Sequence, residues 1–197
     1  MSWKHQYRDV QAPLIMPLAT GRYYGHQFVS YATATVTVGV RFLRATPFYG
    51  PNVGGITVTS LNIEITGASA GGGLARLGIY ADKDGRPGAI ILDAGTVAID
   101  STGAKTLSIS QFLRQGWYWL AHGNSVSATY RAQTGNNEPC VIGHGEITST
   151  DMNHEGVEAG TPDFATNGFP RDWPSDFETS STVPLDSGQT VRILVGV

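Results

Sequence analysis

Residues 77–121 read LGIYADKDGRPGAIILDAGTVAIDSTGAKTLSISQFLRQGWYWLA, and the punctuation of this stretch decides the fold. Runs rich in β-branched and apolar side chains occupy 90–92, 96–99, 106–109 and 117–121. Gly95, the triplet Ser101-Thr102-Gly103 and the pair Gln115-Gly116 separate them. Leu77, Ile79 and Ala81 lead into DKDGRPG at 82–88, where Gly and Pro supply the backbone geometry of a chain reversal. A sustained 3.6-residue apolar period, which a helix would need, is absent. Short strands at this spacing predict a sandwich or barrel and argue against βαβ units. Trp117 and Trp119 share one face of their strand, Tyr118 and Leu120 the other. A strand apolar on both faces belongs in the centre of a sheet.

The same pattern extends outward on both sides. Upstream, Thr35 to Val38 and Val40 to Leu43 are mostly β-branched or apolar, and Pro47 and Pro51 mark the end of that run. Ile56 and Val58, then Leu61, Ile63 and Ile65, alternate with polar residues as a half-buried strand does. The alternation skips a position between Val58 and Leu61, which predicts a β-bulge or a change of sheet. Downstream, 126–131 and 141–147 are further strand candidates. Residues 148–189 form an excursion rich in Asp, Glu, Pro, Gly and Thr, far longer than an ordinary connection. Val191, Ile193 and Val195 then alternate as one last strand, expected to return beside an early one.

Before residue 34 the chain reads differently. Trp3, Tyr7, Leu14, Ile15, Met16 and Leu18 are apolar, but Pro13 and Pro17 break the segment. Proline removes ladder donors, so 1–33 is expected to be an extended arm for attachment or oligomerisation, followed by a sandwich domain over 34–197. Such apolar surface needs cover, either from its own domain or from a neighbouring subunit.

With 197 residues, 41% hydrophobic and 15% charged, the chain can form one domain with a core of its own. The net charge of −3 and scattered cations (Arg41, Arg44, Arg76, Lys83, Arg86), read as ordinary solvated positions, offer no clustered basic face for nucleic acid. Cys140 is the single cysteine, so no intrachain disulfide forms; beside Val141 and Ile142 it reads as a small buried apolar residue. The polar and aromatic opening of the chain does not read as a secretory signal, and no apolar run reaches membrane-spanning length, so no membrane insertion is expected.

The strings RLGIYADKDGRPGAIILDAGTVAID (76–100), TGAKTLSIS (102–110) and GWYWLAHG (116–123) resemble a domain of tailed-bacteriophage virion proteins. RYYG (22–25) and RATPFYGPNVGGIT (44–57) are similar to the same family. The resemblance spans roughly residues 20–130 and marks a structural module found in tail-fibre, minor-tail and head-fibre components. It implies an all-β, jelly-roll-like antiparallel β-sandwich, assembled as a homo-oligomer with other virion proteins as partners. A trimer is favoured over a pentamer, and the virion is the expected location. Host-surface glycans are the ligands such modules often meet.

Few residues suggest chemistry. Asp82, Asp84 and Gly85 resemble the start of a calcium loop, but Pro87 and Gly88 follow and no glutamate closes it; a plain turn is favoured. The five histidines (His5, His26, His122, His144, His154) form no metal-binding unit. Asp151, His154, Glu155, Glu146, Glu158 and Asp163 crowd one region, where solvated loop carboxylates are the favoured reading over a metal site. Asp151, Glu155, Asp163, Asp172 and Asp176 could in principle supply a glycosidase pair, though no motif selects one. Nucleophile elbows and phosphate loops are missing, and neither catalysis nor a cofactor is expected. Phe164, Phe169, Trp173 and Phe177 stand among Pro, Gly and Asp; they predict a small core that pins the excursion, or a contact patch for sugar or protein. The expected function is a non-enzymatic virion appendage subunit. A dedicated carbohydrate-binding module is the alternative, ahead of capsid decoration or a polysaccharide depolymerase.

Overall fold

The structure is a computed structural model that describes residues 17–25, 34–40, 42–50, 52–134, 157–160, 164–174 and 189–197. Trp3, Tyr7, Leu14, Ile15, Met16, Cys140, the strand candidate at 141–147, the carboxylates at 146–155, Asp163, Asp176 and Phe177 lie outside these residues.

Among the described residues, twelve strands and one helical turn follow in chain order: β1 (Tyr23–Tyr24), β2 (Ala34–Val38), β3 (Phe42–Gly50), β4 (Ile56–Gly67), β5 (Leu74–Lys83), β6 (Arg86–Ala98), β7 (Gly103–Leu113), β8 (Gly116–Asn124), β9 (Ala128–Thr134), β10 (Val157–Gly160), α1 (Phe164–Asn167), β11 (Gln189–Val191) and β12 (Leu194–Gly196). All pairs among these strands are antiparallel. Strands β2, β9, β4 and β7 are neighbours in one sheet, and β3, β8, β5 and β6 in the other. The chain alternates between the sheets from β2 to β5, makes the β5–β6 hairpin, and alternates again to β9. Eight strands so connected are a jelly roll, two Greek keys in a sandwich.

The interior between the sheets is filled by inward-facing residues such as Phe48, Val58, Leu61, Ile65, Leu77, Ile79, Leu120 and Tyr130, each fully buried. Burying one such side chain contributes roughly 1.5–3 kcal/mol. Strand β8 lies between β3 and β5, the central place its two apolar faces predict. Trp119 is buried there, whereas Trp117, near the strand's start, stays partly exposed against Tyr49 with ring centroids 5.2 Å apart.

Three local features refine the sequence reading. The skipped position in β4 is a register shift between Val58 and Ser60. The reversal within 82–88 is tighter than expected: Lys83 pairs with Arg86, and only Asp84 (φ 56°) and Gly85 (φ 78°) form the loop. Positive φ at both positions is the type I′ geometry that matches strand twist. Pro87 and Gly88 therefore belong to β6, where an edge strand tolerates proline. Gly95 does not end a strand either. It sits at a bulge within β6, with φ 87°, where Leu77 pairs Gly95 but Gly78 pairs Asp93.

Residues 17–25, inside the segment read as an arm, run back onto the sandwich. Leu18 is buried, and its backbone N–H and C=O bond the Asn52 side-chain amide at 2.9 and 3.1 Å. Tyr23 and Tyr24 pair with Gly196 and Val195 of β12. The last strand is in fact two short ones. Strand β11 pairs with β9, the chain breaks at Arg192 and Ile193, and β12 pairs with β4. Val191, Ile193, Val195 and Val197 all remain buried across the break. No helix among the described residues is long and apolar enough to cross a membrane.

Candidate functional site

A β-sandwich ordinarily leaves the outer faces of its sheets wet. Here the outer face of the β3-β8-β5-β6 sheet carries Leu43, Ala45, Tyr80, Trp119 and Ala121, none more than 2% exposed. Part of the cover comes from within the excursion. Residues 164–174 cross β5 and β6 as a strap that lays Phe169 and Trp173 onto this cluster. The Trp173 ring meets Tyr80 edge-on at 5.2 Å, and Phe169 lies 6.2 Å from the same ring. Phe164 opens the helical turn α1; nothing is described of its side chain. Of the four aromatics read in this region, the structure thus brings Phe169 and Trp173 together, around a tyrosine 77–121 already held.

Backbone bonds fasten the strap at its far end. Ile90 N–H donates to the Arg171 carbonyl at 2.7 Å, Trp173 N–H donates to Gly88 at 3.0 Å, and Asp172 bridges Ala89. They satisfy groups that the open edge of β6 would otherwise expose. Gly78 is the opening that lets Phe169 in, because a Cβ there would lie 2.7 Å from the ring and 2.6 Å from the Leu92 carbonyl.

A charged clasp holds the other end. The Arg76 guanidinium donates to both Asp93 carboxylate oxygens at 2.7 and 2.8 Å, and its Nε donates to the Ala165 carbonyl at 3.1 Å. Asp93 also accepts the backbone N–H groups of Phe169 and Gly95. Arg76 is therefore no ordinary solvated charge: with Asp93 it joins β5, β6 and the strap. Burial, aided by Asp93 and Asp172, pushes the Tyr80 hydroxyl above its ordinary range. It stays protonated and serves as a donor.

The Asp82 carboxylate is occupied by local structure. One Asp82 oxygen accepts the Trp119 indole N–H at 2.8 Å and the other accepts the Gly85 backbone N–H at 3.2 Å. Asp84 is a loop residue of the type I′ turn. The described residues contain no group of three or more potential metal ligands.

Two features escaped the sequence reading besides the clasp. His122 is completely buried on the inner face of β8, edge-on to Tyr130 at 4.7 Å, and neither ring nitrogen has a hydrogen-bond partner among the described residues. Burial pushes its pKa down to about 3, with the Arg44 charge acting in the same direction and Asn124 opposing it. The indole N–H of Trp173 is likewise buried without a partner among those residues. Neither is signalled by local sequence, since both follow from which strands become neighbours.

No family model and no curated protein matches the chain. Its fold is shared by solved structures. A clostridial cysteine protease, Cwp84 after propeptide cleavage, aligns with a TM-score of 0.52 at 12% identity, over 88% of this chain and 39% of that one. The cysteine protease and lectin-like domains of Cwp84, a surface layer associated protein of Clostridium difficile, align with a TM-score of 0.50 at 11% identity, over 89% of this chain and 36% of that one. This chain thus spans well under half the length of either. At such identities the likeness is one of fold.

Proposed function

We propose that this chain is a non-enzymatic bacteriophage virion structural protein, an appendage subunit of tail or head. It attaches through its N-terminal arm and presents its sandwich for subunit assembly and contact with the host surface. The observation that carries this reading is where the family-like strings fall: 76–100, 102–110 and 116–123 occupy β5 to β8, four consecutive strands of a jelly roll. That is the fold the resemblance implies. The apolar residues Trp3, Tyr7, Leu14, Ile15 and Met16 add support, because so much hydrophobic surface needs a partner. Assembly as a homo-oligomer, a trimer in preference to a pentamer, belongs to the same proposal.

The test is location. Purified particles from a host carrying this gene are probed with an antibody to the chain and imaged. A discrete labelled position on tail or head is expected; particles without the protein would overturn the reading.

A second reading, a dedicated carbohydrate-binding module, is favoured by one surface feature. Tyr23 is 64% exposed on the outer face of the larger sheet, an aromatic ring presented to solvent beside hydroxyl and amide groups. One structural neighbour is described as containing a lectin-like domain. A glycan array with the purified chain tests it, and a blank array removes it.

A further inference from the structure

The outer face of the β4-containing sheet differs in kind from the strapped one. Strand pairing sets its residues in rows, because directly paired residues project on the same side. Tyr23, Gly196, Ser60 and Ser108 form one row across β1, β12, β4 and β7. Leu194, Asn62 and Thr106 form the next. Glu64 follows two residues further along β4, and Arg131 and Arg192 converge on it.

The chemistry changes along these rows. At one end the Tyr23 ring leans over Gly196, where a Cβ would come within 3.2 Å of the ring and 2.3 Å of the Ser60 hydroxyl. Gly196 therefore leaves room for an aromatic ring resting low against the sheet. In the middle, Asn62 donates to the Ser60 hydroxyl and the Leu194 carbonyl and accepts from Thr106, so its amide is held in one orientation. At the other end Arg131 donates to both Glu64 oxygens, at 2.8 and 3.1 Å, and Arg192 donates to the second of them at 2.9 Å. Two guanidinium groups on one carboxylate leave a net positive charge, and each Arg side chain is just over a quarter exposed. From Ser60 to Glu64 the strand rises about 14 Å.

We propose that this face binds an acidic oligosaccharide, with a sugar ring stacked on Tyr23 and an anionic substituent held by Arg131 and Arg192. An aromatic platform accepts the apolar face of a pyranose, as it accepts other flat apolar surfaces. Held in place by Glu64, the two guanidinium groups keep N–H donors not spent on that carboxylate, and these suit the oxygens of a carboxylate or sulfate. The proposal deepens the carbohydrate reading and rests on it; it is independent of where the protein sits on a particle.

The experiment measures binding by calorimetry to three probes: a glucuronic-acid oligomer, a sulfated oligosaccharide and a neutral glucose oligomer. At least one acidic probe is expected to bind more tightly than the neutral one, and more weakly as salt rises. Which acidic probe binds separates carboxylate from sulfate as the anionic group. Arg192→Gln, which leaves the Arg131–Glu64 pair in place, should weaken the acidic probe about tenfold. Tyr23→Ala should weaken it by a similar factor, and at so exposed a position the fold should be kept; a thermal melt checks both variants. Equal affinity for neutral and acidic probes overturns the acid-specific proposal while the carbohydrate reading stands. Absence of binding to all three overturns this proposal, and a blank glycan array would remove the broader reading as well.

Discussion

The Tyr80 hydroxyl donates a 2.9 Å hydrogen bond to the Pro170 carbonyl, across 90 residues of sequence. Tyr80 belongs to β5 and Pro170 to the strap. This bond joins the jelly roll to the excursion at the middle of the aromatic cluster, between the Arg76–Asp93 clasp and the backbone bonds at 88–90.

If the strap depends on its aromatic contacts, Trp173→Ala should loosen it before the sandwich unfolds. A half-buried Trp truncated to Ala should cost about 1–3 kcal/mol, below the range for a fully buried aromatic. Hydrogen exchange should show lost protection at the Ile90 and Trp173 amides, with β8 unaffected. Unchanged protection at Ile90 would mean that the strap is held elsewhere.

The clasp can be tested as a pair. Arg76→Gln, Asp93→Asn and the double variant form a cycle whose coupling energy should be about 0.5–1 kcal/mol by chemical denaturation, and smaller at high salt. Asp93→Asn should be the costlier single change, since Asp93 also accepts two backbone N–H groups. A coupling near zero would leave the pair without a measurable role.

His122 predicts a pH dependence of definite sign. Neutral and buried in the folded state, it takes up a proton near its ordinary 6.5 once the chain unfolds. Its contribution to stability is therefore complete above pH 6.5. It falls by about 1.4 kcal/mol per pH unit on the way down to about 3. Glu64, held below 4.5 chiefly by its hydrogen bond from Arg131, loses its contribution only at more acid pH. Urea midpoints at pH 7, 5.5 and 4.5 should fall in the natural chain and fall less steeply in His122→Leu. Parallel declines in the two proteins would count against His122.

Removing residues 1–16 spares the Leu18–Asn52 bonds and β1, so the shortened chain should still fold, which a thermal melt checks. On the virion reading, the shortened chain should nevertheless fail to enter particles. Normal incorporation would separate attachment from this segment. A cut at residue 30 could not make that distinction, since it also strips Tyr23 and Tyr24 from β12.

Local pattern carried most of the fold. Alternation in β4, its skipped position and the Asp84-Gly85 loop all act through neighbouring residues, so they can be read along the chain. The clasp could not be read this way. Arg76 and Asp93 lie on paired strands, but their meeting depends on the register shift beside Gly95, which looks like an ordinary strand break in one dimension. The row from Tyr23 to Ser108 is harder still, joining four strands from distant parts of the chain. Phe169 and Trp173 stood out by composition, yet nothing local identifies Tyr80 as what they cover.

The placement of β12 has a consequence for synthesis. Leu194 accepts a bond from Asn62, 132 residues earlier, and the side chains of Val195 and Val197 are buried in the same interior as Leu61 and Ile63. While the ribosome is still making 189–197, the flank of β4 that will receive β12 has no partner, and its apolar neighbours stay open to water. Pairings this distant close slowly. The sheet is finished only after these residues emerge, so the nascent chain must keep an incomplete core from sticking to others until then.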